Sequence, residues 1–115
     1  MQAGGEFIKY GRRGYPHQRV VAITDDCSRV VWAEAGAKPR VTASRDSLDV
    51  TQITDVLDGI VTDVFARNSA RVRRPECCFS VVTAARTLDL ECDTPEDRER
   101  WVTAFLCLRK YGRGL

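Results

Sequence analysis

The feature that most limits what this chain can fold into is the stretch 94–112, which reads as an amphipathic helix closing a domain otherwise made of strands. Thr94 suits an N-cap, Pro95 takes the first helical position where its missing N–H costs nothing, and Glu96 and Asp97 put negative charge on the positive end of the helix dipole. Trp101, Phe105 and Leu108 then fall at i, i+4 and i+7 with Ala104 between them. That spacing predicts one apolar stripe, with Arg98, Glu99, Arg100 and Arg109 facing away. Lys110 in the last turn and Gly112 just beyond form a stop. Burying such a stripe is worth on the order of 6 kcal/mol, so the preceding residues must supply a continuous apolar surface. A cofactor-binding aromatic box would use the same residues, but core packing is the reading the period supports.

The preceding residues read almost wholly as strands, expected over 6–10, 18–24, 29–33, 46–50, 62–66, 77–82 and 86–92. The last is the clearest, because Leu88, Leu90 and Cys92 alternate with Thr87, Asp89 and Glu91. Between 50 and 59 the alternation is weak, and a turn or a continued strand through Ile53 and Val56 would both end at the Asp58-Gly59 reversal. Two segments lack any apolar period: 35–44, a long connection with Gly36 and Pro39, and the basic stretch 67–75. At 115 residues the chain makes one domain. It is expected to run from 6 to 112, between short tails at 1–5 and 113–115. The class is α+β, mainly β: about seven antiparallel strands in a sandwich or open barrel, plugged by the terminal helix.

Composition narrows the function classes. A net charge of +2 is too mild to imply nucleic acid by itself, and the basic loops carry few stacking aromatics beyond Tyr10 and Tyr15, so no nucleic-acid partner is expected. No apolar run approaches the roughly 18 residues that span a bilayer, and the start lacks a signal-peptide core, so a soluble, cytoplasmic protein is expected. The five cysteines lack C-x-x-C spacing, and Cys77 and Cys78 would point to opposite faces of a strand. They read as reduced and mostly buried, with no metal or cofactor. His17 is the only histidine, with no Ser or Cys beside it in sequence to activate, and an Asx turn accounts for Asp25-Asp26. A non-catalytic protein is expected.

The residues then meet a known family. Phe7-Ile8-Lys9, Asp26-Cys27, the strand ending at Trp32, Cys78-Phe79-Ser80-Val81-Val82, Thr87-Leu88-Asp89-Leu90, Thr94-Pro95-Glu96-Asp97 and Trp101-Val102 together resemble the pleckstrin homology (PH) family. Within that family the chain is most similar to the PH domain of δ-type phospholipases C. The resemblance implies two near-orthogonal antiparallel sheets of four and three strands, capped by a helix whose Trp is Trp101. It also implies a non-enzymatic module that docks its host on phosphoinositides, on proteins, or on both.

Charge is sorted between the loops. In a meander the first and third connections lie at one pole, and the second lies at the other. The first carries Lys9, Arg12, Arg13, His17 and Arg19; the third carries Lys38, Arg40 and Arg45; the opposite turn is Asp25-Asp26. A cationic rim of this kind attracts phosphates. The family pattern for inositol phosphates is a Lys near the end of the first strand and a basic-x-Arg pair opening the second. Lys9 and Arg19 match it, whereas the middle position holds His17, mostly neutral at pH 7 when unperturbed. Arg12 and Arg13 are placed to compensate. The expected ligand is a phosphoinositide headgroup or an anionic membrane surface, with peripheral membrane or cytoskeletal localisation. The alternative is a protein-interaction module that binds a cytoskeletal partner or a second copy of the chain. Nothing in the sequence indicates a homodimer.

Overall fold

The computed structural model describes residues 4–12, 14–36 and 46–111. Arg13, Lys38, Arg40, Arg45 and Gly112 lie outside the described residues. In chain order the elements are β1 (Gly5–Tyr10), β2 (His17–Ile23), β3 (Arg29–Glu34), β4 (Ser47–Asp49), β5 (Ile53–Asp58), α1 (Asp63–Arg67), β6 (Cys78–Thr83), β7 (Thr87–Glu91) and α2 (Pro95–Tyr111). The strands form one seven-stranded antiparallel sheet in the order β4-β3-β2-β1-β7-β6-β5. The groups of four and three strands are joined where β1 pairs with β7, Ile8 lying opposite Glu91 and Tyr10 opposite Asp89.

The terminal helix begins as its sequence dictates, with the Thr94 hydroxyl accepting from the Asp97 N–H at 3.1 Å. Trp101 and Phe105 are buried and Leu108 packs partly buried against the same core. Trp101 meets Phe7 edge-on at 5.0 Å, and Phe105 lies 5.9 Å from Phe79. Where β1 starts, a Cβ on Gly5 would come within 2.6 Å of the Trp101 ring, so the strand can approach the helix this closely only with glycine there. Arg98 does not face away as expected. It shares the stripe three residues before Trp101 and makes a 3.0 Å ion pair with Asp58 on β5.

The expected strand over 62–66 is a correction: those residues cap and form α1. The Thr62 hydroxyl accepts from the Phe65 N–H at 3.3 Å and Asp63 occupies the first turn, a helix start rather than a strand. The missing strand is β5, in the segment whose alternation was ambiguous, and it ends at Asp58, just before Gly59 with φ +81°.

α1 and the short 3-10 turns after it (Ser69–Arg71 and Pro75–Cys77) accompany a second apolar cluster of Tyr10, Val64, Phe65 and Cys78. Cys77 lines the main core and Cys78 this second one, the opposite-face placement expected of them. The polar side of β7 is therefore not solvated. Asp89 and Glu91 are buried. Asp89 accepts hydroxyl hydrogen bonds from Thr62 at 2.5 Å, Ser80 at 2.7 Å and Thr87 at 2.6 Å. Glu91 accepts from the Tyr10 hydroxyl at 2.7 Å and pairs with Arg74 at 3.5 Å.

Cys77, Cys78 and Cys92 are buried thiols, while Cys27 and Cys107 are exposed. Burial, then the nearby Glu91, pushes the Cys78 thiol up to about 12, and burial, then Asp97, does the same for Cys92. Burial, then its bond to Glu91, also raises Tyr10. Each is an acid whose folded-state value lies above its unfolded one. The folded state therefore holds these protons more tightly, and stability is full below the ordinary thiol value of 9.0 and falls as pH climbs from there toward 12. Denaturant midpoints are expected to drop between about pH 9 and about pH 12. A flat profile across that window would show that the buried thiols and phenol are not held neutral.

Candidate functional site

The register fixes which loops share a pole. β2 runs antiparallel to β1 with His17 opposite Lys9, and Glu34 at the end of β3 lies opposite Arg19. β7 runs antiparallel to β1 as well, so its first residues, with the preceding 84–86 turn, come beside the end of β1. The β1–β2 loop, the exit from β3 and the β6–β7 turn therefore meet at one end. The 25–28 turn lies at the other, where Asp26 Oδ1 accepts from Ser28 Oγ at 2.7 Å and Thr24 Oγ1 at 2.8 Å. These bonds, that from Ser28 first, hold the Asp26 carboxyl below the usual range, which is the Asx turn expected there.

Alternation along β1 puts Lys9 on the same face as the core residue Phe7, so its ammonium stands at the mouth of the apolar interior. It lies 5.5 Å from the ring centre of Trp32, a buried residue of β3. The Arg86 guanidinium, from the β6–β7 turn, lies 5.1 Å from the same centre. Two cations are thus seated on one indole. Arg19, on the inward face of β2 with Val21, stands beside them, its Nη1 donating to the Gln18 carbonyl at 2.9 Å. Burial lowers the Lys9 pKa, and the charges of Arg86 and Arg19 lower it further against the opposing pull of Asp89 and Asp46. An anion seated here would relieve that repulsion, which is the chemical sense of the arrangement.

Of the residues singled out in the sequence, Lys9, His17 and Arg19 are brought together here, and Arg12 stands exposed at the start of the β1–β2 loop. Sequence reasoning missed Arg86 and the floor supplied by Trp32. It also missed two acids, Glu34 opposite Arg19 and Asp46 acting on Lys9. The rim is cationic but not free of acids. Among the described residues no group of three or more His, Cys, Asp or Glu is placed to hold a metal ion, and no helix is long and apolar enough to cross a membrane.

A seven-stranded antiparallel sheet closed at one end by a C-terminal helix is the pleckstrin homology fold, and this chain has that fold. The N-terminal PH domain of human ARAP2 superimposes with a TM-score of 0.65 at 19% identity, covering 97% of this chain and 81% of that one. The C-terminal PH domain of pleckstrin in complex with D-myo-Ins(1,2,3,5,6)P5 gives a TM-score of 0.63 at 18% identity, covering 92% of each. In sequence the chain is similar to the 1-phosphatidylinositol 4,5-bisphosphate phosphodiesterase delta-3-A of Danio rerio, with 27% identity over 110 residues. It is also similar to the gamma-2 phosphodiesterase of Homo sapiens, with 24% identity over 103 residues. These matches cover 95% and 86% of this chain but only 14% and 8% of the two relatives. No family model matches the sequence.

Proposed function

We propose that this domain docks the protein carrying it onto anionic membranes by seating the phosphates of a phosphoinositide headgroup between Lys9, Arg19 and Arg86, with His17 at the edge and Arg12 beside it. The observation that carries the reading is the pair of cations, Lys9 and Arg86, held on the buried Trp32 ring next to Arg19. A guanidinium offers a two-pronged donor to a phosphate and an ammonium a compact charge, and the indole floor keeps both in place before any ligand arrives. The likeness to the inositol-phosphate-bound PH domain of pleckstrin supports the same ligand class. Vesicle sedimentation with and without phosphoinositide tests it. Lys9→Ala with Arg19→Ala is expected to weaken binding at least about tenfold, and raised salt is expected to weaken it further. Binding indifferent to both would refute the reading.

One observation favours a second reading. Glu34 opposite Arg19 and Asp46 near Lys9 give the mouth mixed sign, which suits a protein surface with charges of both kinds. Absence of vesicle binding at physiological salt would favour this protein-docking role.

A further inference from the structure

On the outward face of the β1–β2 pair a groove of about 470 Å³ is bordered by Ile8, Tyr15, Pro16, Gln18, Arg71 and Arg73. Ile8 and Gln18 are opposite each other in the register, and alternation turns both to the face that Phe7, Lys9 and Arg19 do not share. The groove therefore opens on the other side of the sheet from the lysine and arginine of the mouth. Its far wall is the stretch 71–73 of the β5–β6 connection, which Glu91 fixes from beneath: Oε1 accepts from the Arg73 N–H at 3.4 Å and from the Tyr10 hydroxyl at 2.7 Å. The Arg71 guanidinium is held twice. It lies 4.4 Å from the centre of the Tyr15 ring, and its Nη1 donates to Asn68 Oδ1 at 3.2 Å. Stacking thus bridges the two walls, and the groove is formed before any partner arrives.

Tyr15 is 70% exposed, Ile8 and Pro16 are half-buried, and no carboxylate borders the groove. Arg71 and Arg73 are exposed, and among the described residues neither forms an ion pair with an acid. We propose that this groove docks an acidic peptide segment of a partner protein, one aromatic or aliphatic side chain of the segment lying on Ile8, Tyr15 and Pro16 and the flanking carboxylates on Arg71 and Arg73. Charge complementarity selects the acidic partner, because a guanidinium without a carboxylate of its own offers one a two-pronged donor. The apolar floor selects a peptide over a lipid headgroup. Covering Ile8 and the Tyr15 ring gains free energy only for a ligand with an apolar group to place there, and a phosphate has none. An exposed aromatic ring beside arginines is also the composition that carries most of the binding energy at protein interfaces. Neither Lys9 nor Arg19 borders the groove, so the peptide and the phosphoinositide headgroup are seated on different residues.

The test uses the whole chain and a labelled peptide probe with one phenylalanine between short runs of glutamate. Two control peptides carry serine for the phenylalanine or lysine for the glutamates. Binding is followed by fluorescence anisotropy at physiological salt, and contact by backbone amide resonances. The probe is expected to bind and to shift the amides of Ile8, Tyr15, Gln18 and Arg73, with both controls at least about tenfold weaker. Arg73→Glu is expected to weaken the probe about tenfold, Arg73→Gln less in the same direction, and Arg109→Glu, the same charge change on exposed α2, less than about twofold. Tyr15→Ser is expected to weaken it about fivefold and Tyr15→Phe to leave it unchanged. Unchanged thermal midpoints report that these exposed-site variants are folded. The Lys9→Ala/Arg19→Ala variant is expected to bind the probe as the parent does. Absence of binding, equal weakening by Arg73→Glu and Arg109→Glu, or equal binding of the serine peptide overturns the docking groove. Loss of the probe in the double variant moves the peptide to the mouth and overturns it as well. Binding to phosphatidylcholine vesicles containing phosphatidic acid that falls with Arg73→Glu, while the probe binds unchanged, overturns the assignment to a peptide. The mouth fails separately, when the double variant binds phosphoinositide vesicles as well as the parent.

Discussion

Phe105→Ala is expected to lower the stability of the domain by about 3–5 kcal/mol, a large part of the roughly 5–15 kcal/mol that a domain has. The ring is fully buried and lies 5.9 Å from both Phe79 and Trp101, so it is the contact through which the helix grips β6. Removing it leaves a void between the helix and the sheet, and neighbours as large as Trp101 cannot collapse into that void without losing their own contacts. The adjacent Leu106 is 41% exposed, and Leu106→Ala is expected to change stability by no more than about 0.5 kcal/mol. Denaturant midpoints of the two variants therefore separate the buried stripe from its neighbour one position along. Similar midpoints would mean that α2 is not docked as the packing has it.

That stripe was legible because cap, period and charge bias all agree over 17 residues, and β7 was legible because its alternation is strict. The segment between β4 and β6 was not. α1 has only five residues, too few for a helical period to be told from a strand, and its start rests on one hydroxyl, that of Thr62. The mouth was read in part. Lys9, His17 and Arg19 follow from antiparallel alternation along β1 and β2, which are adjacent in sequence. Arg86 does not, since it reaches the same pole only because β7 pairs with β1, a contact across some eighty residues that no local pattern encodes. The burial of Asp89 and Glu91 was not legible for a related reason. Alternation tells one face of a strand from the other, and it cannot say whether the polar face meets water or a set of hydroxyls brought in from elsewhere in the chain.

Asp89→Ala is expected to cost about 3–5 kcal/mol, although the residue lies on the polar side of its strand. The carboxylate is fully buried, and its two oxygens accept from Thr62, Ser80 and Thr87. Deleting it strands the buried Thr62 and Ser80 hydroxyls out of reach of water, at about 1 kcal/mol or more each, removes the acceptor of half-buried Thr87, and leaves a void. Asp89→Asn keeps the shape and one acceptor, and a hydroxyl facing the new amide can turn to accept, so it is expected to cost less than half as much. The loss is also expected to be local. Thr62 donates to Asp89 and with the same oxygen accepts from the Phe65 N–H, so the carboxylate orients the cap of α1. Amide exchange at Val64 and Phe65 should accelerate in Asp89→Ala before the main core opens, and uniform acceleration would argue against a local role. Because Asn68 ties the end of α1 to Gly11, loosening α1 also releases the start of the β1–β2 loop, where Arg12 stands. A carboxylate buried behind the β7 face thus supports the cationic groups that the proposed membrane contact requires.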